Sequence, residues 1–354
     1  MNPKLVIDQN ALLQNMNTIY ALARRQGVKL SIVTKGLVGH EPLVRLLVDN
    51  GASSVCEARI GTLKKWEKYP AEKWLIRSPL ISEAEDVARY ADVSLVTEKS
   101  VLEALSEAAD DRDSIHKVII MLELGELREG CMPDELLPLC KTVQELPGLE
   151  LHGIGTHLSS THEIVPDEQN MKALADAAEE IEKALDITLP IVSGGSSSAL
   201  KMLAEGQLPK KINHLRIGEA VLLGNIVCYD IPYDDARTDV FKLNAEIIEV
   251  KEKPSLPWGL RADGAPPVPA GNGQQAAGLR KRALVALGKQ DVSASYLVPF
   301  DKGIKILGDT SDCFIADVTD SENEYKPGDT LSFRLKYNGL VSAMASDYVD
   351  KILA

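Results

Sequence analysis

Short β-type segments alternate with helical patterns between residues 30 and 220, and this alternation constrains the fold more than any other feature of the sequence. Strands that alternate with helices are typical of βαβ units and a parallel sheet. Helical patterns lie at residues 42–50, 83–90, 134–145 and 167–185. The segments that predict strands are Leu30–Lys35, Ser54–Glu57, Trp74–Arg77, Val93–Val96, Val118–Leu124, Leu151–His157, Pro190–Ser193 and Leu215–Ala220.

Eight such strands match the count of a (β/α)8 barrel of the TIM type. We therefore predict an α/β fold in which residues 1–235 form this barrel. A doubly wound open sheet has the same local pattern and is the alternative.

The pattern changes at about Asp239, and residues 236–354 predict a separate C-terminal β domain. The β-rich segments there are Val240–Val250, Arg282–Leu287, Ile304–Leu307, Phe314–Val318 and Thr330–Leu335, without helical patterns between them. The Pro/Gly-rich segment 254–279 predicts a long exposed loop, either a linker or a cover over a site. At the N-terminus, a strand at Leu5–Asp8 precedes a helix at Ala11–Arg25, and we expect the strand (within residues 1–10) to pack on the β domain.

Charge and cysteine content narrow the class of partner and the compartment. The formal net charge of −13 disfavours nucleic acid and anionic membranes as partners. Five cysteines without CxxC spacing indicate free thiols in a reducing cytoplasm. The first eight residues lack the basic start and apolar run of a signal peptide, and no run of about 18 apolar residues predicts a membrane span. We expect a cytoplasmic protein that acts on a small molecule.

Unusual polar residues follow the predicted strands. The active site of such a barrel lies at the carboxyl ends of its strands. Lys35 ends the first predicted strand, Arg128 follows the fifth and His157 ends the sixth. The segment SGGSSSAL follows the seventh strand, and Arg216 lies in the eighth, in HLRIGEA. We therefore expect these groups to meet at one mouth of the barrel.

Each of these residues also has a structural explanation when considered alone: a surface lysine, a flexible turn, a core histidine or an ion-pair partner. Glycines and small hydroxyl residues that begin a helix also form an anion site, because free N–H groups and the helix dipole favour negative charge. A lysine, a phosphate site and two arginines around one mouth fit a phosphorylated aldehyde cofactor held as a Schiff base.

Nine segments carry a resemblance along nearly the whole chain: LVIDQNALLQNM, VTKGLVGHEPLVRLLVDNGA, ARIGTLKKW, LELGELREG, GIGTHLSS, SGGSSSAL, LRIGEAVLLG, LVALGKQDV and ILGDTSDCFIADVTD. In these segments the sequence resembles the alanine racemase-like family of pyridoxal-phosphate-dependent enzymes (fold type III), especially its ornithine racemase-type branch. The resemblance implies a (β/α)8 barrel followed by a β domain. It also implies a homodimer in which the β domain of one chain completes the site of the other.

The resemblance implies a role for each residue at the mouth. Lys35 matches the lysine that binds pyridoxal phosphate and then acts as a base on one face of the substrate. Arg216 matches the arginine that faces the pyridine nitrogen, and because arginine keeps its proton, that nitrogen stays unprotonated. His157 matches a histidine in the hydrogen-bond chain around the cofactor. The matches to the phosphate site are Ser196 and Ser197 with the backbone N–H groups of Gly218 and Glu219, and the matches to substrate-binding residues are Arg128 and Ser311.

The sequence departs from alanine racemase at three positions. KGLVGH lacks the phosphate-binding tyrosine, and Met121 occupies the position of a lysine that is carbamylated in some relatives. Lys289, after Gly288, stands where the family has its tyrosine base. Lys289 is therefore the expected second catalytic group, and the other candidates are Asp291, Cys313 and Tyr348.

The expected activity is amino-acid racemisation by α-proton exchange between two opposed groups, on ornithine or another basic amino acid. The alternatives are an alanine or broad-specificity racemase, a D-threonine aldolase-like lyase and a non-catalytic pyridoxal-phosphate-binding protein. No metal site is expected, because the C-terminal region shows no convincing His/Cys/Asp ligand cluster.

Overall fold

The computed structural model describes residues 2–226, 228–229, 231–260, 262 and 278–354. Most of the predicted loop 254–279, at residues 261 and 263–277, lies outside the described residues. The chain divides into two compact units. One contains the described residues of Met1–Gln9 and Asp239–Ala354, and the other is Asn10–Thr238.

The unit Asn10–Thr238 is built on a closed barrel of eight parallel strands, so the predicted barrel is confirmed. The last strand pairs with the first, with Lys29 opposite His214. After the N-terminal strand β1 (Lys4–Ile7), the barrel strands are β2 (Lys29–Val33), β3 (Ser54–Glu57), β4 (Glu72–Leu75), β5 (Val93–Val96), β6 (His116–Met121), β7 (Leu149–Gly155), β8 (Ile191–Ser193) and β9 (His214–Ile217).

Helices alternate with these strands and pack apolar faces against them. The helices are α1 (Gln9–Arg25), α2 (Glu41–Asp49), α3 (Ile60–Lys65), α4 (Ala84–Tyr90), α5 (Lys99–Asp110), α6 (Pro133–Glu145), α7 (Glu168–Leu185), α8 (Leu200–Ala204) and α9 (Glu219–Leu223). Single 3₁₀ turns lie at Lys35–Leu37, Ile81–Glu83 and Ser197–Ala199. A short hairpin of β10 (Asn225–Ile226) and β11 (Ile231–Pro232) follows α9.

The barrel interior is apolar around a few polar side chains. A cluster of buried residues fills it, with members on six strands: Val33, Cys56, Trp74, Val93, Leu95, Ile119, Met121 and Ile191. Trp74 also stacks on the His214 ring at 4.6 Å between centroids. Strands that are buried on both faces explain the continuous apolar runs in the sequence.

Five predicted barrel strands were too long at their carboxyl ends. Two of them are β4, which ends at Leu75 instead of Arg77, and β6, which ends at Met121 instead of Leu124. The other three carry predicted site residues. β2 ends at Val33 because Thr34 leaves the extended conformation (φ −100°, ψ −2°), so Lys35 begins a 3₁₀ turn instead of ending a strand. β7 ends at Gly155, which places His157 in the following loop. β9 ends at Ile217 because Gly218 turns the backbone into α9, so Gly218 and Glu219 are not strand residues.

The other unit is an antiparallel β domain in which the N-terminal strand takes part. β1 pairs antiparallel with β12 and parallel with the last strand, β18, with Lys4 opposite both Asn244 and Asp350. The strands are β12 (Phe241–Pro254), β13 (Leu279–Val285), β14 (Leu297–Pro299), β15 (Lys305–Asp309), β16 (Phe314–Asp317), β17 (Thr330–Leu335) and β18 (Asp350–Leu353), in the main order β14-β17-β12-β13-β16-β15.

A helix, α10 (Tyr337–Ala345), lies between β17 and β18, after the last of the predicted β-rich segments. Its sequence, YNGLVSAMA, contains Asn, Gly and Ser, which have low helix propensity, but it buries Leu340 and Ala343. Tertiary packing therefore outweighs the weak local preference. Among the described residues, no helix is long and apolar enough to cross a membrane.

Candidate active site

Lys35 stands at the carboxyl end of the first barrel strand, in the 3₁₀ turn that follows β2. Burial and the positive charge of Arg128 lower the pKa of its ammonium group, while the Glu129 and Glu57 carboxylates oppose this change. Desolvation disfavours the charged form of an amine. Lys35 is therefore biased towards the uncharged amine, which is the form that attacks a carbonyl carbon.

Glu57 ends the next strand, β3, and is a residue of the site that the sequence reasoning missed. Its carboxyl group is 3% exposed and accepts a hydrogen bond from Thr34 Oγ1 at 2.9 Å. Burial raises the pKa of Glu57 to about 7, against the effect of the Thr34 hydrogen bond. The available signal was a charged residue at the end of an apolar strand, the same signal that identified Lys35.

Arg128 lies in the loop after β6, and its guanidinium pairs with the carboxylate of the adjacent Glu129. The backbone N–H of Arg128 donates a hydrogen bond to Glu123 Oε2 at 3.3 Å, which holds the loop against the end of β6. Arg128 therefore places a positive charge near Lys35 while its own charge is balanced by Glu129.

Glu126, two residues before Arg128, joins this loop to the loop after β7. Its carboxylate is fully buried and accepts hydrogen bonds from the backbone N–H groups of Ser159, Ser160, His162 and Ile164 and from the Ser160 hydroxyl, at 2.8–3.2 Å. Burial alone raises the pKa of Glu126, but the bonds from His162 and Ser160 lower it to about 2. The segment LELGELREG was noticed in the sequence, but its local pattern gives no sign of bonds to residues 159–164.

His157 lies in the loop after β7, where it is affected by the same positive charges as Lys35. Burial and the charges of Arg216, Arg128 and Lys35 lower its pKa to about 2. His157 is therefore neutral at physiological pH.

The segment SGGSSSAL forms a tight turn after β8. Ser196 caps the 3₁₀ turn, where its hydroxyl accepts the Ser198 N–H at 3.4 Å. Ser197 Oγ accepts the backbone N–H groups of Gly218 and Ala220 at 3.3 and 3.2 Å. The structure thus brings Ser196, Ser197 and the start of α9, with Gly218 and Glu219, to one place.

Arg216 lies in β9 and is 2% exposed. Its guanidinium donates to Ser193 Oγ and, at 2.7 Å, to the carbonyl oxygen of Thr156. Burial lowers the pKa of this guanidinium. Within residues 10–226, no carboxylate forms an ion pair with Arg216. A buried cation of this kind favours an anionic or electron-rich group in the mouth.

The β domain contains the other predicted residues, Lys289 and Ser311. The Lys289 N–H donates to the carbonyl oxygen of Thr310 at 2.9 Å, and Gln290 N–H donates to that of Ser311 at 2.9 Å. A side chain at Gly288 would lie 2.4–2.5 Å from the backbone of residues 311–312, so only glycine allows this approach. The Lys289 ammonium is exposed and lies 3.4 Å from Asp309 Oδ1.

The other candidates for the second catalytic group lie in the same domain. Asp291 accepts a hydrogen bond from the Ser346 hydroxyl at 2.6 Å, and the Cys313 thiol lies 3.2 Å from Thr310 Oγ1. Tyr348 is 68% exposed. In the described part of the chain, no group of three or more His, Cys, Asp or Glu side chains is arranged to hold a metal ion.

Comparisons with known proteins agree with this architecture. Residues 7–225 match the family model of the alanine racemase N-terminal domain. The chain is 38% identical to ornithine racemase of Acetoanaerobium sticklandii, over the full length of both proteins. It is 33% identical to lysine racemase of Thermotoga maritima, over 99% of this chain and 98% of that protein.

A solved structure shows the same fold at low sequence identity. Alanine racemase from Bartonella henselae, with covalently bound pyridoxal phosphate, superposes with a TM-score of 0.74 at 18% identity and full coverage of both chains. Together with the closed barrel, the β domain and the match over residues 7–225, these relationships show that the chain belongs to the alanine racemase-like family.

Proposed function

We propose that this protein is a pyridoxal-phosphate-dependent racemase of basic amino acids, with ornithine as the first candidate substrate. The observation that carries the proposal is the buried Lys35 amine at the barrel mouth. Its pKa is lowered by burial and by the positive charges of Arg128 and Arg216. The identity to ornithine and lysine racemases over the whole chain supports the substrate class.

The residues at the mouth fit pyridoxal phosphate. Lys35 would supply the amine for the aldehyde carbon, and Arg216, buried without a carboxylate partner within residues 10–226, would supply donors for the pyridine nitrogen. Ser196, Ser197 and the N–H groups of Gly218 and Glu219 would hold the phosphate. The Ser197 contacts of 3.2–3.3 Å are long for N–H···O bonds, and a phosphate oxygen is a stronger acceptor. His157, as a neutral ring, would support this arrangement.

When bound, this cofactor withdraws electrons from the substrate and acidifies its Cα–H bond. Lys35 then acts as the base on one face, and its lowered pKa keeps the amine free to take the proton. Arg128 orients the substrate carboxylate, and Ser311 contributes a further polar contact. Lys289 returns a proton on the opposite face.

Assays of optical activity test the racemase proposal. Purified protein with added pyridoxal phosphate should racemise L-ornithine or L-lysine, as measured by chiral chromatography. Lys35→Ala should lose the activity and the covalent cofactor label that borohydride fixes on residue 35, while Lys29→Ala keeps both. Activity with alanine alone would change the substrate assignment, and racemisation of none of these amino acids would refute the proposal.

We also propose that the chain works in the cytoplasm as a homodimer, with Lys289 supplied by a second copy of the chain. Lys289→Ala should stop racemisation but still allow Lys35 to exchange the α-proton of one enantiomer with deuterium. Mixed dimers of Lys35→Ala and Lys289→Ala chains should regain part of the activity. Racemisation by Lys289→Ala at the parent rate would exclude Lys289 and shift the search to Asp291, Cys313 and Tyr348.

A further inference from the structure

A continuous chain of buried polar side chains links the neighbouring strands β3, β2, β9 and β8 and ends at Arg216. Arg216 donates to Ser193 Oγ, which lies 3.0 Å from His214 Nδ1. On its other side, His214 Nε2 lies 2.8 Å from Ser31 Oγ. The chain continues from Ser31 Oγ to Ser54 Oγ at 2.7 Å, and Ser54 donates to the carbonyl oxygen of Leu30 at 3.3 Å.

The two ends of this chain determine the direction of every hydrogen bond. A guanidinium only donates and a carbonyl oxygen only accepts. Because Ser193 already accepts from Arg216, its single hydroxyl proton is available for His214 Nδ1. His214 must then carry its hydrogen on Nε2 and donate to Ser31, which in turn donates to Ser54.

The opposite direction satisfies fewer groups. If His214 carried its hydrogen on Nδ1 and donated to Ser193, the Ser193 hydroxyl would have no acceptor, because its side-chain partners within the described residues are Arg216 and His214. A buried hydroxyl without an acceptor destabilises the fold. A doubly protonated His214 would leave the same hydroxyl unsatisfied and would place a second positive charge close to Arg216.

We propose that His214, neutral with its hydrogen on Nε2, and Ser31 are positioning residues that hold the Arg216 guanidinium in place through Ser193. The role of Arg216 towards a bound cofactor rests on the proposed function, whereas the direction of the chain rests on the hydrogen bonds alone. A fixed guanidinium keeps its remaining N–H groups available to the mouth of the barrel. The conformational entropy of these N–H groups is then lost during folding and not when a ligand binds.

The first experiment tests the direction of the chain without reference to activity. Long-range ¹H–¹⁵N correlation spectra of the full-length protein, labelled with ¹⁵N-histidine, distinguish the three forms of each ring. At pH 7, the His214 signal, assigned by its loss in His214→Gln, should show hydrogen on Nε2 only. Hydrogen on Nδ1, or on both nitrogens, overturns the proposal.

The second experiment tests the positioning role with a matched control. Ser94 and His116 form a similar buried pair in the same barrel, with 2.9 Å between Ser94 Oγ and His116 Nε2, and none of their hydrogen bonds leads to Arg216. Ser31→Ala should lower kcat roughly 10-fold and change KM less than about twofold, as is typical when a residue that holds a functional group in place is removed. Ser94→Ala should leave both kcat and KM unchanged.

Ser193→Ala provides a second variant in case Ser31→Ala does not fold, and the visible spectrum and dissociation constant of bound pyridoxal phosphate provide a second readout. Both Ser31→Ala and Ser193→Ala should weaken binding relative to Ser94→Ala. Equal effects of Ser31→Ala and Ser94→Ala on kcat and on cofactor binding would show a purely structural role and overturn the proposal. If the parent protein racemises no amino acid, the proposed function fails, while the histidine spectra and cofactor binding still decide this inference.

Discussion

Glu57 carries a carboxyl group that is 3% exposed and bonded to Thr34, the residue before Lys35. Burial raises its pKa from 4.5 to about 7, so the folded chain holds a proton that the unfolded chain releases over this range. The stability contributed by this proton is complete below pH 4.5 and is lost as the pH rises through about 7. Its full amplitude is about 3 kcal/mol.

Replacing Glu57 with Gln should remove this pH dependence, because a glutamine amide does not titrate. Urea unfolding of the parent protein and of Glu57→Gln, at pH 5 and pH 8, measures the effect. The free energy of unfolding of the parent should fall relative to that of Glu57→Gln as the pH rises. Glu67→Gln, at an exposed carboxyl group, is the control and should keep the parent profile. Parallel curves for the parent and Glu57→Gln would contradict the prediction.

Arg128 acts on Lys35 through its charge, and this effect can be measured without any substrate. Because the Arg128 cation helps to lower the Lys35 pKa, Arg128→Gln should raise that pKa and leave less free amine at pH 8. Competitive acetylation followed by mass spectrometry should show slower labelling of Lys35, with the exposed Lys99 as internal reference. Arg112→Gln, at an exposed position, should leave the ratio unchanged. An unchanged ratio in Arg128→Gln would show that burial alone sets the reactivity of Lys35.

At the scale of elements, Glu126 ties the loop after β6 to the loop after β7. Both carboxylate oxygens are used: Oε1 accepts from Ser160 and His162, and Oε2 accepts from Ser159 and Ile164. A glutamine has only one such oxygen, so its NH₂ group would face N–H donors on one side. Arg128 and His157 lie in these two loops and depend on this connection for their positions.

Glu126→Gln should therefore destabilise the protein by about 2–3 kcal/mol, because buried N–H groups lose their acceptor. Urea unfolding measures the loss. Hydrogen exchange should show faster exchange at the Ser159 and Ile164 amides, because the single glutamine oxygen is retained on the side with three donors. Glu163→Gln, an exposed change in the same loop, should have an effect below about 0.5 kcal/mol. Equal stability of Glu126→Gln and Glu163→Gln would refute the connecting role.

The elements themselves were largely predictable from sequence. β3, β5 and β17 begin and end at the predicted residues, because each is a short β-type run that lies at the core. α10 was not predictable, since its helix depends on the burial of Leu340 and not on its local residues. Strand ends at the site were misplaced where the backbone turns, as at Thr34.

The candidate site was predictable only where a residue is conspicuous in its own segment. Lys35 and Arg216 are charges in apolar runs. Lys35 follows the carboxyl end of β2, and Arg216 lies one residue before the carboxyl end of β9. Glu126 and His214 were missed because their partners come from segments distant in sequence. No local pattern encodes a hydrogen bond between residues 126 and 160, or between residues 31 and 214.

At the scale of the whole molecule, β1 lies between two strands of the β domain, β12 and β18. It buries Leu5 and Ile7 completely and connects β18 to the rest of the sheet. Residues 239–354 without β1 would therefore lose the pairing of β18 and expose the edge of β12, and such an edge promotes aggregation.

A fragment of residues 239–354 should consequently need a peptide of residues 2–9 in order to fold. Circular dichroism and amide spectra of the fragment should sharpen on addition of this peptide. A peptide of the same composition in shuffled order, which moves Leu5 and Ile7 off the buried face, should have no effect. A fragment that is equally ordered with and without the peptide would show that β1 is dispensable.

The position of β1 also dictates an order of events on the ribosome. β1 precedes the barrel in the sequence, and its partners begin at Phe241 and Asp350, so the whole barrel sequence leaves the ribosome before either partner does. Domains fold as units during synthesis, so the barrel can close while β1 is still an unpaired apolar segment. Stalled nascent chains that expose residues 1–238 outside the ribosome, but not β12, should show a protease-resistant barrel with cleavage near Lys4. Chaperones that bind unpaired strands would have their longest opportunity at this segment.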